Sequence, residues 1–417
     1  MPDAAPFSAK SSPATTGPHW FNPFVPRFRD DPHPMLHRLR AESPVHYCAL
    51  ANTWFLTRYK DVQAALLDDE KFSADSRHWE EHARFFHRPG PQDAAGVYSR
   101  WMLQMDPPDH SRLRVLLNGA FTPRVVQKLR PKIRSLVDGL MAPLLERNKG
   151  EYIAQLAYPL PIIVVAELLG VPSEDHAMVR EWSERLIPSL TPAMGAETAA
   201  KVNGAVRECG EYFRKLIEKR RAQPTEDLIS RLAAARDGGH QLTDDEVVAT
   251  CLLLAFAGHY STVQLLSGMM LLLIQQPEQF TRVRREPSLK TSAVEESLRM
   301  VSPLQFVFRT TKSPVTIGEM TIPARQMIFA HLGGANRDPE VFPEPDRYDV
   351  SRSPNRHLGF GHGIHYCAGA GLGRLEAEIV LEALCEHFSA IHLTGPVKRD
   401  SSLLLRGIDS MPVAFER

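Results

Sequence analysis

The sequence predicts a mainly helical chain with small β-sheets set to one side, an α+β architecture around one long central helix. Three observations carry that expectation. Helical patterns follow one another from Asp109 to Met300 with few interruptions. Strand-like alternation is confined to short stretches near residues 45–57, 315–330 and 402–416. The most apolar run, Val247 to Ile274, is long enough to span a bilayer, but Gly258-His-Tyr-Ser-Thr262, Gln264 and Ser267-Gly268 interrupt its centre. A helix that is apolar all round with polar residues mid-way suits the core of a large protein.

The elements follow in order. Met1 to Pro18 is rich in Ala, Ser, Thr and Pro and lacks an apolar core of signal-peptide length, which predicts a disordered lead-in over residues 1–19. Asp31 to Arg40 reads as a short helix, Val45-His-Tyr and Thr53 to Thr57 as strands, and Lys60 to Asp68 as a helix. Ser73 to Arg100 has little periodicity and contains Pro89-Gly90-Pro91, so it is expected to be a long functional loop. Helical patterns then cover 109–117, 124–148, 151–169, 173–190, 197–222, 226–237, 243–276, 278–286 and 289–300. Strand signals return at Val315 to Ile322 and Gln326 to Ala330, and Ser402 to Glu416 reads as a hairpin turning at Gly407-Ile-Asp-Ser410. No repeat or linker divides residues 20–417, which predicts a single domain.

The 417 residues carry no net charge, so bulk electrostatics give no case for nucleic acid or a membrane surface. Cys48, Cys209, Cys251, Cys367 and Cys385 show no pairing rhythm, which points to a reducing, cytoplasmic setting.

The chemistry concentrates in Phe360-Gly-His-Gly-Ile-His-Tyr-Cys367-Ala-Gly369. Cys367 sits in a glycine-rich turn just ahead of a helical pattern, where a helix N-terminus favours thiolate over thiol. A thiolate so held suits a haem iron that must push electron density toward oxygen. The glycines let backbone and a flat macrocycle approach closely. A zinc site built on His362, His365 and Cys367 would want a second close pair of ligands, and none follows.

This stretch resembles the haem-binding signature of the cytochrome P450 family, Phe-x-x-Gly-x-His/Arg-x-Cys-x-Gly, and every fixed position matches. The order of elements resembles that fold over residues 20–417. The resemblance implies haem b, with Cys367 as axial ligand of the iron and Phe360 and Gly369 shaping its loop. It implies that Glu296 and Arg299, three apart on a helix, join Arg347 in a buried network holding the loop. His110 and Arg114, on one helix face, are implied to bind the haem propionates with Arg309 and His365. The forked arginine suits carboxylates.

The family's oxygen-activation motif, Ala/Gly-Gly-x-Asp/Glu-Thr, has its counterpart in Ala257-Gly258-His259-Tyr260-Ser261-Thr262. Gly258 is expected to leave room beside the iron. Tyr260 stands in the acid position and Ser261 in the threonine position, with Thr262 able to assist. A hydroxyl at Ser261 can still donate and accept, whereas Tyr260 is a poorer exchanging group at neutral pH. By resemblance, His78, Trp79, Phe85 and Phe86 roof an apolar pocket. Ala255 and His259 face it from the central helix, Leu304, Phe306 and Val307 form a wall, and Leu404 and Leu405 close it.

The resemblance implies a soluble bacterial monooxygenase, an oxidoreductase using dioxygen to hydroxylate or epoxidise a mostly apolar small molecule of secondary metabolism, such as a macrolide, polyketide, terpenoid or peptide. Electrons would come from a separate ferredoxin or flavodoxin and its NAD(P)H reductase, docked near Arg112 and Arg374. It implies a monomer. Two alternatives stand beside this. One is a non-insertion oxidation (coupling, ring closure or desaturation), suggested by Tyr260-Ser261. The other is a haem sensor without turnover.

Overall fold

The computed structural model describes residues 20–81, 97, 100–119, 121–187, 196–237, 240–400 and 402–417. Phe85 and Phe86 lie outside the described residues. The helices that position the site are α1 (Asp109–Asn118), α2 (Arg130–Arg147), α3 (Pro159–Leu169), α4 (His176–Leu186), α5 (Ala196–Ala222), α6 (Asp244–Gln275), α7 (Lys290–Val301) and α8 (Ala370–His387). The main sheet comprises β1 (Val45–Cys48), β2 (Thr53–Leu56), β3 (Phe72–Ser73), β4 (Val307–Thr311) and β5 (Met327–Ala330), in the order β1-β2-β5-β4-β3. Only β2 and β5 run parallel, with Trp54 opposite Ile328 and Leu56 opposite Ala330.

The predicted central helix is α6, and its start is legible in the sequence. Thr243 Oγ1 accepts from Glu246 N at 3.2 Å while Glu246 Oε2 accepts from Thr243 N at 2.8 Å, a reciprocal cap that satisfies two otherwise orphaned donors. Asp244, Asp245 and Glu246 complement the helix dipole in the first turn. Pro277 follows the end. The first half of α6 packs in one apolar cluster with α3, α4 and α5. The second half joins α2, α7 and α8 in another. The apolar surface that could have suited a bilayer is thus covered by protein helices.

Other expectations are corrected by pairing that no local pattern reveals. The segment after Glu151 opens with a π-type turn at Ile153–Ala157 before α3 begins. The C-terminal stretch is not one hairpin: Ile408–Ser410 pairs with Lys398–Arg399, whereas Pro412–Glu416 is the middle strand between Ala390–Leu393 and Lys149–Glu151. The predicted 315–322 strand is two, Val315–Ile317 and Met320–Ile322, paired antiparallel with each other. Strand β4, which pairs antiparallel with β5, carries no clear sequence signal, because Val-Phe-Arg-Thr-Thr does not alternate apolar with polar.

Gly258 also has a packing reason. A Cβ there would meet Val165 Cγ2 of α3 at 2.7 Å, so the missing side chain permits the close crossing of α3 and α6. Gly258→Ala is expected to cost about 1–3 kcal/mol through overpacking, read as a lower thermal midpoint, with Val165→Ala restoring much of it in the double variant.

Glu376 of α8 is 1% exposed, and its Oε2 has no hydrogen-bond partner among the described residues. Burial pushes its carboxyl up to about 8 from an ordinary 4.5. Between those values the native state keeps a proton that the unfolded chain has lost, so stability falls as pH rises through this window, by at most about 1.4 kcal/mol per pH unit. Unfolding profiles from pH 5 to pH 8 are expected to show that decline in the parent and a flatter one in Glu376→Gln.

Candidate active site: a cysteine loop and one face of the central helix

The loop that carries Cys367 is built by its own backbone. Gly361 and Gly363 take φ of 72° and 70°, a region that disfavours side chains. The Leu66 carbonyl also leaves no room for a Cβ at Gly363. Cys367 N donates to Phe360 O at 2.9 Å and Tyr366 N to Gly363 O at 3.0 Å, closing the turn. Cys367 ends up exposed, three residues before α8. Desolvation raises its thiol above the ordinary value, against the opposing pull of the Gly369 N–H, Arg114 and Arg374. The helix end therefore helps the thiolate, as the sequence suggests, without securing it alone.

Two adjacent carboxylates on α7 hold this loop. Glu296 and Arg299 are both fully buried and joined twice at 2.8 Å. Arg299 also donates to the carbonyls of Asn336 (2.9 Å), Pro345 (2.6 Å) and Arg347 (3.1 Å). Asn336 passes this order on: its Oδ1 accepts from Leu358 N at 2.7 Å, at the start of the loop. The second guanidinium on Glu296, and the third charged member of the network, is Arg352, with Nε at 3.0 and 3.1 Å from its two oxygens. Arg347 was expected there. Its side chain instead bonds Glu344 at 2.9 Å and is exposed, so it contributes only its carbonyl.

Glu295, which the sequence reading missed, grips the other side. It binds His357 at 2.9 Å and Arg374 at 2.6 and 3.0 Å. Burial works against its charge, but His357 and Arg374 bring its carboxyl down to about 2. Arg374 lies 4.5 Å over the Phe360 ring and donates to Tyr366 Oη at 3.1 Å. Arg112 is likewise paired, with Glu246. The two arginines expected to dock an acidic carrier are therefore committed to internal carboxylates.

A group of basic side chains converges beside the cysteine. His110 on α1 and His365 in the loop face each other with ring centroids 4.2 Å apart. Arg309 on β4 is buried, donates to Phe308 O at 2.7 Å, and is pushed down to about 10 by burial with only partial relief from Asp106. Asp106 is itself occupied by Lys312, Ser73 and the Ala74 N–H. Burial, then Arg309 and His110, push His365 down to about 3. Arg114, one helical turn beyond His110, feels the Cys367 sulfur.

On α6 the expected face is corrected. Ala257 is exposed in mid-helix, with Leu254, Gly258, Tyr260 and Ser261 partly so. Leu254, Ala257 and Ser261 follow the 3–4 spacing of one face. Ala255 and His259 are buried on roughly the opposite side. His259 Nε2 bonds Tyr158 O at 3.2 Å and its Nδ1 bonds Ser183 Oγ at 2.9 Å, which turns it toward α3 and α4. Thr262 is also buried, bonding back to Gly258 O at 3.2 Å, so it does not join Ser261. Ser261 Oγ donates to Ala257 O at 2.8 Å, leaving its lone pairs free to accept.

The residues expected in a pocket wall pack in two apolar groups. Phe306, Leu404 and Leu405 form one cluster, with Leu304 and Tyr260 packed against it. Gln305 N donates to Leu404 O at 2.8 Å, tying the two wall segments together, and Gln264 Oε1 accepts from Ile408 N at 2.8 Å, tying the C-terminal one to α6. Val307 packs instead with the sheet core around Trp54 and Ile328. Trp79 is buried, whereas His78 is exposed.

A family model for cytochrome P450 matches residues 178–408. The chain is 36% identical over 392 residues to the biotin biosynthesis cytochrome P450 of Bacillus subtilis, covering 93% of this chain and 97% of that one. The chain belongs to the cytochrome P450 family. The vitamin D(3) 25-hydroxylase of Pseudonocardia autotrophica is 38% identical over 412 residues, 96% of this chain and 98% of its own. A solved structure of P450BioI with hexadec-9Z-enoic acid-ligated acyl carrier protein superposes with a TM-score of 0.87 at 36% identity, covering 94% of this chain and 99% of that one.

This P450 is an oxidoreductase, and its cofactor is haem b. The residues present fit that group. Both ring nitrogens of buried His110 lack a protein partner, and the neighbouring Arg309 forms no ion pair among the described residues. Buried donors of this kind are costly without acceptors, and a doubly carboxylated macrocycle supplies them. A thiol that desolvation keeps protonated is deprotonated once it coordinates a metal.

Arg352→Ala would leave Glu296 with one guanidinium fewer in a buried site. It is expected to cost about 3 kcal/mol and to lower haem content of the purified protein. Arg347→Ala should change both by little, since its carbonyl remains. Haem absorbance per protein and thermal unfolding of the two variants check this.

Proposed function

We propose that this P450 is a cytoplasmic, monomeric monooxygenase that hydroxylates or epoxidises a mostly apolar small molecule of secondary metabolism. Electrons would come from a separate ferredoxin or flavodoxin and its NAD(P)H reductase. The observation that carries the reading is the convergence of His110, whose ring nitrogens have no partner among the described residues, with Arg309 and His365 beside the exposed Cys367, near the apolar Phe306–Leu404–Leu405 cluster.

Haem bound here would supply one-electron chemistry and oxygen activation, with the thiolate raising electron density at the metal. Cys367 would hold it through its sulfur, and His110, Arg114, Arg309 and His365 would receive its carboxylates. Glu296, Arg299, Arg352 and Asn336 would keep the loop rigid, and Glu295, His357 and Arg374 would fix Phe360 beside it. Ser261 Oγ, already donating to Ala257 O, would accept a hydrogen bond from a water at the exposed face of α6. Phe306, Leu404, Leu405 and Tyr260 would exclude water and orient an apolar substrate. Several relatives are named for biosynthetic work, among them a polyketide biosynthesis P450 of Bacillus subtilis and a cyclomarin C epoxidase of Salinispora arenicola, which supports secondary metabolism as the setting.

A second reading, oxidation without oxygen insertion, is favoured by Tyr260-Ser261 standing in place of an acid–threonine pair. Absorption titration of the ferric protein with macrolides, terpenes, fatty acids, steroids and carrier-linked acyl chains is expected to give a short-wavelength Soret shift with one class. No shift with any of them would overturn the apolar-pocket reading. Turnover of the hit under labelled dioxygen separates the two readings: label in product supports insertion, and unlabelled product supports coupling or desaturation. Ser261→Ala is expected to raise peroxide release per NAD(P)H several-fold and to lower product yield, within the span of about 10²–10⁴ that positioned acid–base groups contribute. Unchanged stoichiometry would remove Ser261 from oxygen activation.

A further inference from the structure

Arg374 ties the cysteine loop to α7 through a charge pair. Its Nε and Nη2 donate to the two carboxylate oxygens of Glu295 at 2.6 and 3.0 Å. Its Nη1 donates to Tyr366 Oη at 3.1 Å, and its guanidinium carbon lies 4.5 Å over the Phe360 ring. Both of those loop residues adjoin Cys367. Tyr366 precedes it in the chain, and the Phe360 carbonyl accepts from Cys367 N at 2.9 Å. The cation thus reaches the ring and hydroxyl beside the cysteine, and the carboxylate reaches the cation from α7.

We propose that the Glu295–Arg374 pair sets the reduction potential of the haem held at Cys367. Glu295 offsets the Arg374 charge, and so keeps the cofactor harder to reduce than an unopposed arginine would. The inference rests on the reading of Cys367 as the residue that holds the haem.

The physical ground is net charge. Potentials of haem sites respond to the charge, hydrogen bonding and burial around the ligating residue. A lone cation nearby favours adding an electron, and a lone anion opposes it. The Arg374 and Glu295 side chains are 29% and 22% exposed, so salt and water screen them less than open-surface charges. Opposite charges in hydrogen-bond contact cancel much of their own field at a distance. The third member of the group adds no charge. His357 Nδ1 accepts from Gly359 N at 3.0 Å, so its Nε2 carries the proton that it donates to Glu295 at 2.9 Å. Against the opposing effect of burial, His357 and Arg374 hold the Glu295 carboxyl at about 2, so it stays ionised. When the carrier delivers an electron, neither Glu295 nor Arg374 changes a bond or a proton; the cofactor alone is reduced.

The test is the midpoint potential of the substrate-free holoenzyme, read by spectroelectrochemical titration of Glu295→Gln, Arg374→Gln and the double variant. Glu295→Gln should raise the potential, and Arg374→Gln should lower it. Each shift should amount to roughly tenfold in the reduction equilibrium, the order that a unit charge about 10 Å from another exerts at an effective dielectric of about 20. The double variant should return close to the parent, because it too carries no net charge at these positions. A purely structural role predicts something else. A loosened loop would admit water to the sulfur in either single variant, moving both the same way and the double variant further. Shifts of one sign, no shift in either single variant, or a double variant further from the parent than both would overturn the inference. Arg374→Lys keeps the charge without the fork. Its potential should stay near the parent's even where haem content falls, and a value as low as that of Arg374→Gln would overturn the charge argument. The absorption spectrum of the reduced, CO-bound parent tests the reading beneath. A spectrum without a thiolate signature would overturn Cys367 as the residue holding the haem, and this inference with it.

Discussion

Everything at the cysteine depends on the buried pair of Glu296 and Arg299. Two charges with no exposure are tolerable only when every lone pair and N–H is met. That demand organises the neighbourhood: Arg299 gathers the carbonyls of Asn336, Pro345 and Arg347, and Glu296 gathers Arg352, Asn355 and the Asp349 N–H. The stretch from Asn336 to Asn355 is thereby locked at several points to one helical turn of α7. Asn336 carries the order to Leu358, where the cysteine loop begins. A soft pair at this place would leave the loop glycines free to wander.

Glu295 repeats the device one residue earlier on α7, pointing elsewhere. Through His357 and Arg374 it fixes Phe360 and Tyr366, so the loop is held from two directions by adjacent carboxylates. This arrangement explains why Arg374 is a poor candidate for a free docking charge. Its guanidinium already has two partners and an aromatic ring beneath it.

The central helix illustrates how one element serves several tasks by face. One stripe, Leu254–Ala257–Ser261, stays at least partly exposed. Tyr260 flanks it and packs on the apolar wall. Gly258 lets α3 approach, and the opposite face carries His259 into a polar contact with α3 and α4. Helical geometry already separates Ala255 and His259 from Ala257 and Ser261 by roughly half a turn, so the mistaken pocket assignment was avoidable from periodicity alone.

What the sequence by itself determined was local. The glycine spacing around Cys367, the Thr243–Glu246 cap, the Glu296–Arg299 interval and the apolar run of α6 all act through neighbouring residues, and each was legible. The tertiary structure decided which partners meet. Arg347 and Arg352 lie five residues apart in one irregular segment, and only its path past α7 turns Arg352 toward Glu296. The C-terminal strands pair with segments far away, so their pattern resembled a hairpin they do not form. Contacts of that kind are fixed by packing and desolvation across the whole core, which no short stretch of sequence encodes.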